Sequence, residues 1–331
     1  METQLLVGSS PHVRDADSIN RIMWNVVAAL VPAAAMSVYF FGAGALLVYV
    51  LSIAAAEATE LACLRIRNRP LHHAADGSAL ITGVLLAMVL PPGVAWYCPL
   101  VGGAFAMAIV KHAFGGLGNN VWNPALAARI FLQFAYPTQV SLAQWPVPRP
   151  LWGIATDAVT MASPLAKEGG PAALKYMDLL FGNGVVGSLG ETCKVALIVG
   201  GVYLIIRKAV DWRIPACYIA AVLVLTWLLP VKAGSPAWEK DPLYHVLSGG
   251  LVIGAFFMAT DMVTTPVTRT GRAVFGAGCG LLVAVIRRYG GYPEGVAYST
   301  VIMNTFVPLI DRWVRPRVYG SKTPKAVPRE A

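Results

Sequence analysis

Two carboxylates three residues apart, Glu57 and Glu60 in Ala56-Glu57-Ala58-Thr59-Glu60-Leu61, interrupt an otherwise apolar run. That spacing puts both on one helical face. A charged side chain at the centre of a bilayer costs on the order of 2.5–3.5 kcal/mol, so the pair needs a reason. A cation or proton relay is one reason; an interfacial position or a pair with Arg65 is the other. Asp261, in Met258-Ala259-Thr260-Asp261-Met262, closes another apolar run and suits either an ion path or a turn cap. Arg129 lies inside an apolar run, where it could bind an anionic cofactor group or neutralise a glutamate. Asn123, followed by Pro124, has the pattern of a capping turn opening a helix. The nonapeptide Asp157-Ala158-Val159-Thr160-Met161-Ala162-Ser163-Pro164-Leu165 holds an acid, two hydroxyls, small residues and a proline. By itself it reads as an exposed turn.

Other clusters carry less. Gly276-Ala277-Gly278-Cys279-Gly280 lacks both the preceding strand and the last glycine of a dinucleotide fingerprint, so it reads as close helix packing. The five cysteines are scattered without C-x-x-C spacing, which argues against an iron–sulfur or zinc site made by this chain alone. His72 and His73, beside a basic loop, suit an interface better than a metal.

These residues must be positioned by membrane helices. Of 331 residues 56% are hydrophobic and 13% charged. Soluble domains carry about a quarter charged residues. Ten apolar spans fit the length: 22–41, 43–64, 78–91, 95–111, 121–136, 191–207, 214–230, 247–261, 273–287 and 296–312. Each is expected to be a helix, since no barrel alternation is present. The first span begins near residue 22 without a small-residue cleavage site, so no removable signal peptide is expected. Despite the net charge of +9, Lys and Arg sit in short clusters between apolar runs, a pattern of membrane topology rather than nucleic-acid binding. Of the 26 basic residues, 17 fall on the side of the two termini and 8 on the other, with Arg129 inside a span. The excess places both termini in the cytoplasm and the 137–190 interval outside. Arg287 and Arg288 run against that rule.

The halves look alike. Asp76-Gly77-Ser78-Ala79-Leu80 opens the third span and Ser248-Gly249-Gly250-Leu251 the eighth; Lys111-His112 and Arg287-Arg288 each stand just ahead of an aromatic residue and a glycine pair. Five spans per half require the second half to be inverted, as in transporters with broken helices at the midplane.

Several separate motifs, in order, carry a family resemblance. They are Ser10-Pro11-His12-Val13-Arg14, Asp76-Gly77-Ser78-Ala79-Leu80-Ile81-Thr82-Gly83, Gly115-Gly116-Leu117-Gly118-Asn119 with Asn123-Pro124-Ala125, and Phe257-Met258-Ala259-Thr260-Asp261 with Thr270-Gly271-Arg272. The chain resembles the D subunits of the Rnf ion-translocating oxidoreductase complexes and, more distantly, the B subunit of the sodium-pumping NADH:quinone reductase. The resemblance implies an all-α polytopic fold of two inverted five-helix repeats, similar to urea transporters. It also implies FMN joined through its phosphate to a hydroxyl residue by a flavin transferase, and a second, non-covalent flavin, riboflavin. The family's attachment pattern, Asp-Gly-x-Ser/Thr-Gly-Ala-Thr, falls on Asp157 to Ser163. The acid Asp157, the first hydroxyl Thr160 and Ala162 are kept; Ala158 and Met161 replace glycines, and Ser163, followed by Pro164, holds the acceptor position. A serine hydroxyl forms the same phosphoester.

The organisation expected is therefore a cytoplasmic arm (1–20), a first repeat (21–136), a periplasmic flavin-bearing loop (137–190), a second repeat (191–312) and a basic cytoplasmic tail (313–331), in a bacterial inner membrane. The function implied is electron transfer through FMN within a ferredoxin:NAD+ oxidoreductase complex that moves Na+ or H+, with the other Rnf-type subunits (A, B, C, E and G) as partners. Neither an NAD fingerprint nor cluster ligands occur here, so the chain does not catalyse the overall reaction alone. Ser163, Thr160, Asp157, Ala162, Pro164, Arg129 and Asn123 are the candidate flavin residues; Glu57, Glu60 and Asp261 are candidates for the ion path. The rival is a passive small-solute channel of the same fold without flavin, its pore lined by those three carboxylates.

Overall fold

A computed structural model describes residues 18–140, 145–146, 160–161, 165, 174–231, 237–290 and 294–315. The chain enters through α1 (Ile19–Phe41), whose first turn is capped by the Ser18 hydroxyl accepting from the Arg21 amide. It turns at Gly42, φ 67°, directly into α2 (Ala43–Ile66). A side chain would resist that left-handed corner. After a 3-10 turn (Leu71–Asp76), α3 (Ser78–Met88) has only 11 residues. Its length of about 16 Å is half of a ~30 Å hydrocarbon layer. Pro91 and Pro92 follow and cannot extend it. The Leu90 carbonyl left over accepts from the Leu189 amide at 3.1 Å, a group from far along the chain.

Next come α4 (Tyr97–Phe105), running into a π-helical turn (Ala106–His112), then α5 (Pro124–Ala135), opened by Asn123, and the short α6 (Pro137–Val140). Between the halves, β1 (Trp145–Pro146) pairs antiparallel with β2 (Thr160–Met161), and α7 (Tyr176–Phe181) precedes a 3-10 turn (Leu189–Glu191). The second half contains α8 (Lys194–Ile206), α9 (Arg213–Leu228), α10 (Pro242–Leu247), α11 (Leu251–Ile253) continuing as a π turn (Gly254–Met258), α12 (Arg269–Tyr289) and α13 (Val296–Trp313). Like α3, the α11 segment is too short to cross a bilayer.

Three helices among the described residues, α1, α2 and α12, are long and apolar enough to cross a bilayer. Leu46, Leu47 and Val50 on α2, Val199 and Val202 on α8 and Val274 and Leu281 on α12 are exposed. Such a surface belongs in lipid rather than water. The half-length α3 is packed inside, with Ala79, Leu85, Leu86, Ala87 and Met88 buried. Its unpaired ends could not face hydrocarbon. One core joins α1 to α5 with α8; a second joins α9, α11, α12 and α13.

Small residues set the helix approach. A Cβ at Gly276 would stand 2.6 Å from the Ile214 carbonyl oxygen, and one at Gly280 2.6 Å from that of Tyr218. The glycine run is thus the α12 face that seats α9, as its spacing predicts. Gly276→Val is expected to destabilise the solubilised protein by about 1–3 kcal/mol through overpacking. The exposed Val274→Leu should leave thermal unfolding in detergent within error of wild type.

Candidate functional site

Glu60 is buried at 3% exposure, and it pairs with Lys111 and touches His112 rather than reaching Arg65. Its Oε2 accepts from Lys111 Nζ at 3.0 Å and contacts His112 Nε2 at 2.7 Å. Lys111 and His112 are consecutive, and the widened π turn that ends α4 lets both reach one oxygen. Lys111 also donates to the Ser78 hydroxyl at 2.7 Å, and Ser78 donates to Asp76 through its amide and hydroxyl. The start of the half-helix α3 is therefore tied to α2 and α4 by one charged network. Glu57 is only partly buried and makes no ion pair among the described residues. Of the two sequence candidates, only Glu60 enters a network. A polar cavity of about 290 Å³ opens beside it, lined by Arg67, Arg69, His112 and Gly116.

Asp261 lies where the π turn after α11 ends. It accepts from the Val263 amide at 3.3 Å and the Thr264 hydroxyl at 3.4 Å, so it is a turn cap. Asn123 caps α5 through the Ala125 and Leu126 amides and donates to the Met258 carbonyl at 3.3 Å, tying the halves together. A cavity of about 90 Å³ lies between the halves, with Ser78, Lys111, Asn120, Asn123 and Asp261 among its polar lining and Leu85 and Phe257 among its apolar lining.

In a second cluster, Arg129 reaches Glu294 Oε2 at 2.7 Å, the neutralising role open to it from sequence. Glu294 Oε1 accepts from the Gly250 amide at 2.7 Å, at the start of α11. Glu191 is buried and accepts from the Ser188 hydroxyl, and its side chain and that of Glu294 both come up against Gly250. Lys194 is fully buried and donates to the Glu191 carbonyl. Arg287 donates to the carbonyls of His245 and Ser248, and Arg288 pairs with Glu239 at 3.1 Å. Burial, and next the charge of Arg287, push His245 down to about 4, so it is neutral and donates Nε2–H to the Glu239 carbonyl.

These contacts resolve the topological exception. Lys111, Lys194, Arg287 and Arg288 are buried in protein and do not report on loops. Without them the charge count becomes 16 against 5. That is a stronger bias in the same direction.

Asp157, Ala162, Ser163 and Pro164 lie outside the described residues, as does the side chain of Thr160, whose backbone forms β2. Leu165 is described and buried at 4% exposure. It packs with Leu179, Val185, Trp238, Tyr244 and Leu247, and Gly249 brings it, Arg287 and Glu294 to one point. Sequence reasoning passed over Glu191, Lys194 and Glu294. Their signal was present, two glutamates and a lysine at the edges of apolar runs, but their partners are remote in sequence.

Buried ion pairs at the ends of half-length helices, within lipid-facing long helices, define a multi-pass membrane protein built around a polar interior. The chain belongs to the NQR2, RnfD, RnfE family, whose model matches residues 6–320. It is 43% identical over 326 residues, 96% of each chain, to the D subunit of the proton-translocating ferredoxin:NAD(+) oxidoreductase complex of Clostridium ljungdahlii. It is likewise 43% identical over 324 residues, 96% of each chain, to the D subunit of the Na(+)-translocating ferredoxin:NAD(+) oxidoreductase complex of Acetobacterium woodii. The D subunit of the ion-translocating oxidoreductase complex of Stutzerimonas stutzeri is 39% identical over 92% of each chain. These relatives are subunits of translocase-type oxidoreductases.

Glu60→Gln leaves Lys111 buried beside a neutral partner. Breaking a buried pair costs about 3–5 kcal/mol, whereas Glu57→Gln should have little effect. Thermal unfolding of the two variants in detergent checks this; equal shifts would count against the network.

Proposed function

We propose that this chain is the D-type membrane subunit of an ion-translocating ferredoxin:NAD+ oxidoreductase complex, carrying one electron-transfer step on an FMN esterified to Ser163. The observation that carries the reading is the identity, end to end, with D subunits of complexes named for that reaction. The chain then sits in a bacterial inner membrane with both termini cytoplasmic and works with the other Rnf-type subunits (A, B, C, E and G). The two relatives at 43% identity are named for H+ and Na+ respectively, and movement of one of these ions is the coupled work.

Ten crossings in two inverted halves suit the described elements. In each half the pair at the end of the fourth expected span, Lys111-His112 or Arg287-Arg288, reaches the start of a short, buried helix: Lys111 to Ser78, Arg287 to the Ser248 carbonyl. In each half the pair also finds a carboxylate, Glu60 or Glu239.

FMN supplies reversible one- and two-electron transfer when bound. The residues near its expected tether fit the group. Leu165 is anchored by burial. The two residues of chain back to Ser163 reach at most about 7 Å. Arg287, whose Nε is buried without a partner among the described residues, lies at the same point. Its charge would favour an anionic phosphate. A covalent phosphoester holds the cofactor without a deep phosphate cradle, so an outer loop suffices, installed there by a flavin transferase. Riboflavin as a second, non-covalent flavin belongs to the same reading.

The chain made together with its flavin transferase is expected to give a fluorescent band after denaturation. Ser163→Ala should abolish that fluorescence and Thr160→Ala should keep it. The reverse pattern would move the attachment to Thr160.

A further inference from the structure

We propose that the polar cavity beside Glu60 binds an anionic phospholipid, its phosphate held by Arg67, Arg69 and His112 at the membrane surface. The site does not rest on the flavin. Helix α2 has 24 residues and is one of the helices long and apolar enough to cross a bilayer. Its length of about 36 Å exceeds a ~30 Å hydrocarbon layer, so its end at Arg67 stands at the level of the headgroups. Arg67 is the C-cap of that helix, and Arg69 follows after Asn68, whose φ of 51° turns the chain. Both arginines line the cavity of about 290 Å³.

Hydrogen-bond donors are left over in this cavity. Arg67 gives one hydrogen bond, to the His112 carbonyl at 3.2 Å, and the Arg69 side chain gives none among the described residues. His112 is 8% exposed, and its Nδ1 is buried without a partner among the described residues. A Cβ at Gly116 would lie 3.7 Å from Arg67 Nη1 and 3.8 Å from His112 Nδ1. The absent side chain thus leaves room where the two nitrogens meet. Nε2 of the same ring contacts the Glu60 carboxylate, and the imidazolium form offers Nδ1–H to an oxyanion. Two carboxylates also line the cavity, and both are engaged. Lys111 offsets Glu60, and Asp76 accepts from the Ser78 amide and hydroxyl. Two guanidinium groups against the one remaining carboxylate charge leave the cavity positive, the sign that suits a phosphate.

The apolar neighbours make a lipid the source of that phosphate. Exposed Ile66 precedes Arg67, exposed Leu71 follows Pro70, and Leu117 in the cavity wall is exposed as well. A free ion makes no use of such a rim, whereas acyl chains cover it. Basic pockets between membrane helices at headgroup level are the usual seats of anionic lipids. A phosphate on Arg67 and His112 would tie the end of α2 to the π turn that ends α4.

Native mass spectrometry of the full chain in mild detergent, titrated with dioleoylphosphatidylglycerol or dioleoylphosphatidylcholine, tests this. One phosphatidylglycerol is expected to bind in preference to phosphatidylcholine. Arg67→Gln combined with Arg69→Gln should weaken it roughly 30-fold. Arg207→Gln, which removes an exposed arginine at the end of α8, should leave it unchanged. Excess inorganic phosphate should not displace the lipid. Equal binding of the two lipids, or the same loss in Arg207→Gln, would overturn the proposal in favour of diffuse surface charge. Displacement by phosphate would overturn it in favour of a free-anion site. Should the double variant not fold, Arg69→Gln alone decides: its side chain has no bond to lose, and wild-type affinity for phosphatidylglycerol would overturn the proposal.

Discussion

A hydrocarbon layer offers no hydrogen bonds, so every helix that stops inside it must have its ends and charges satisfied by the rest of the chain. Much of this molecule follows from that constraint. Helices α3 and α11 stop short, and each is closed by groups from elsewhere. Lys111 and Asp76 meet the start of α3, the Leu189 amide meets the carbonyl after its end, and Glu294 meets the Gly250 amide ahead of α11. Each satisfied end places a charge or dipole in the interior, and those charges need partners in turn. Hence the Glu60–Lys111 and Arg129–Glu294 pairs, either of which is costly to break alone.

Local chemistry was legible in the sequence. Asn123 caps α5 because its side-chain oxygen sits two and three residues before unpaired amides, a relation that needs no tertiary knowledge. The Gly276 to Gly280 run revealed its packing role because only small residues admit a backbone at that distance. Long-range pairing was not legible. Arg129 and Glu294 are 165 positions apart, and Glu60 and Lys111 are 51 apart. Nothing in the local pattern selects those partners over Arg65 or a loop. The same limit explains why Arg287 and Arg288 looked like misplaced loop charges: the charge rule counts residues by position along the chain, while burial removes them from the count.

The redox reading and the interior meet at Gly249. Leu165, a short step from Ser163, packs there against the position shared by Arg287 and Glu294. An outer loop carrying a flavin would thus be footed on the polar cluster that closes α11. Charge on the tethered group would act on that arginine across a few ångströms of low-dielectric protein.

The central claim is the covalent flavin on the outer loop, and mass spectrometry of the peptide spanning 150–175, taken from the assembled complex, tests it most directly. A mass increase of FMN less one water, fragmenting to Ser163, is predicted. An unmodified peptide would contradict the account.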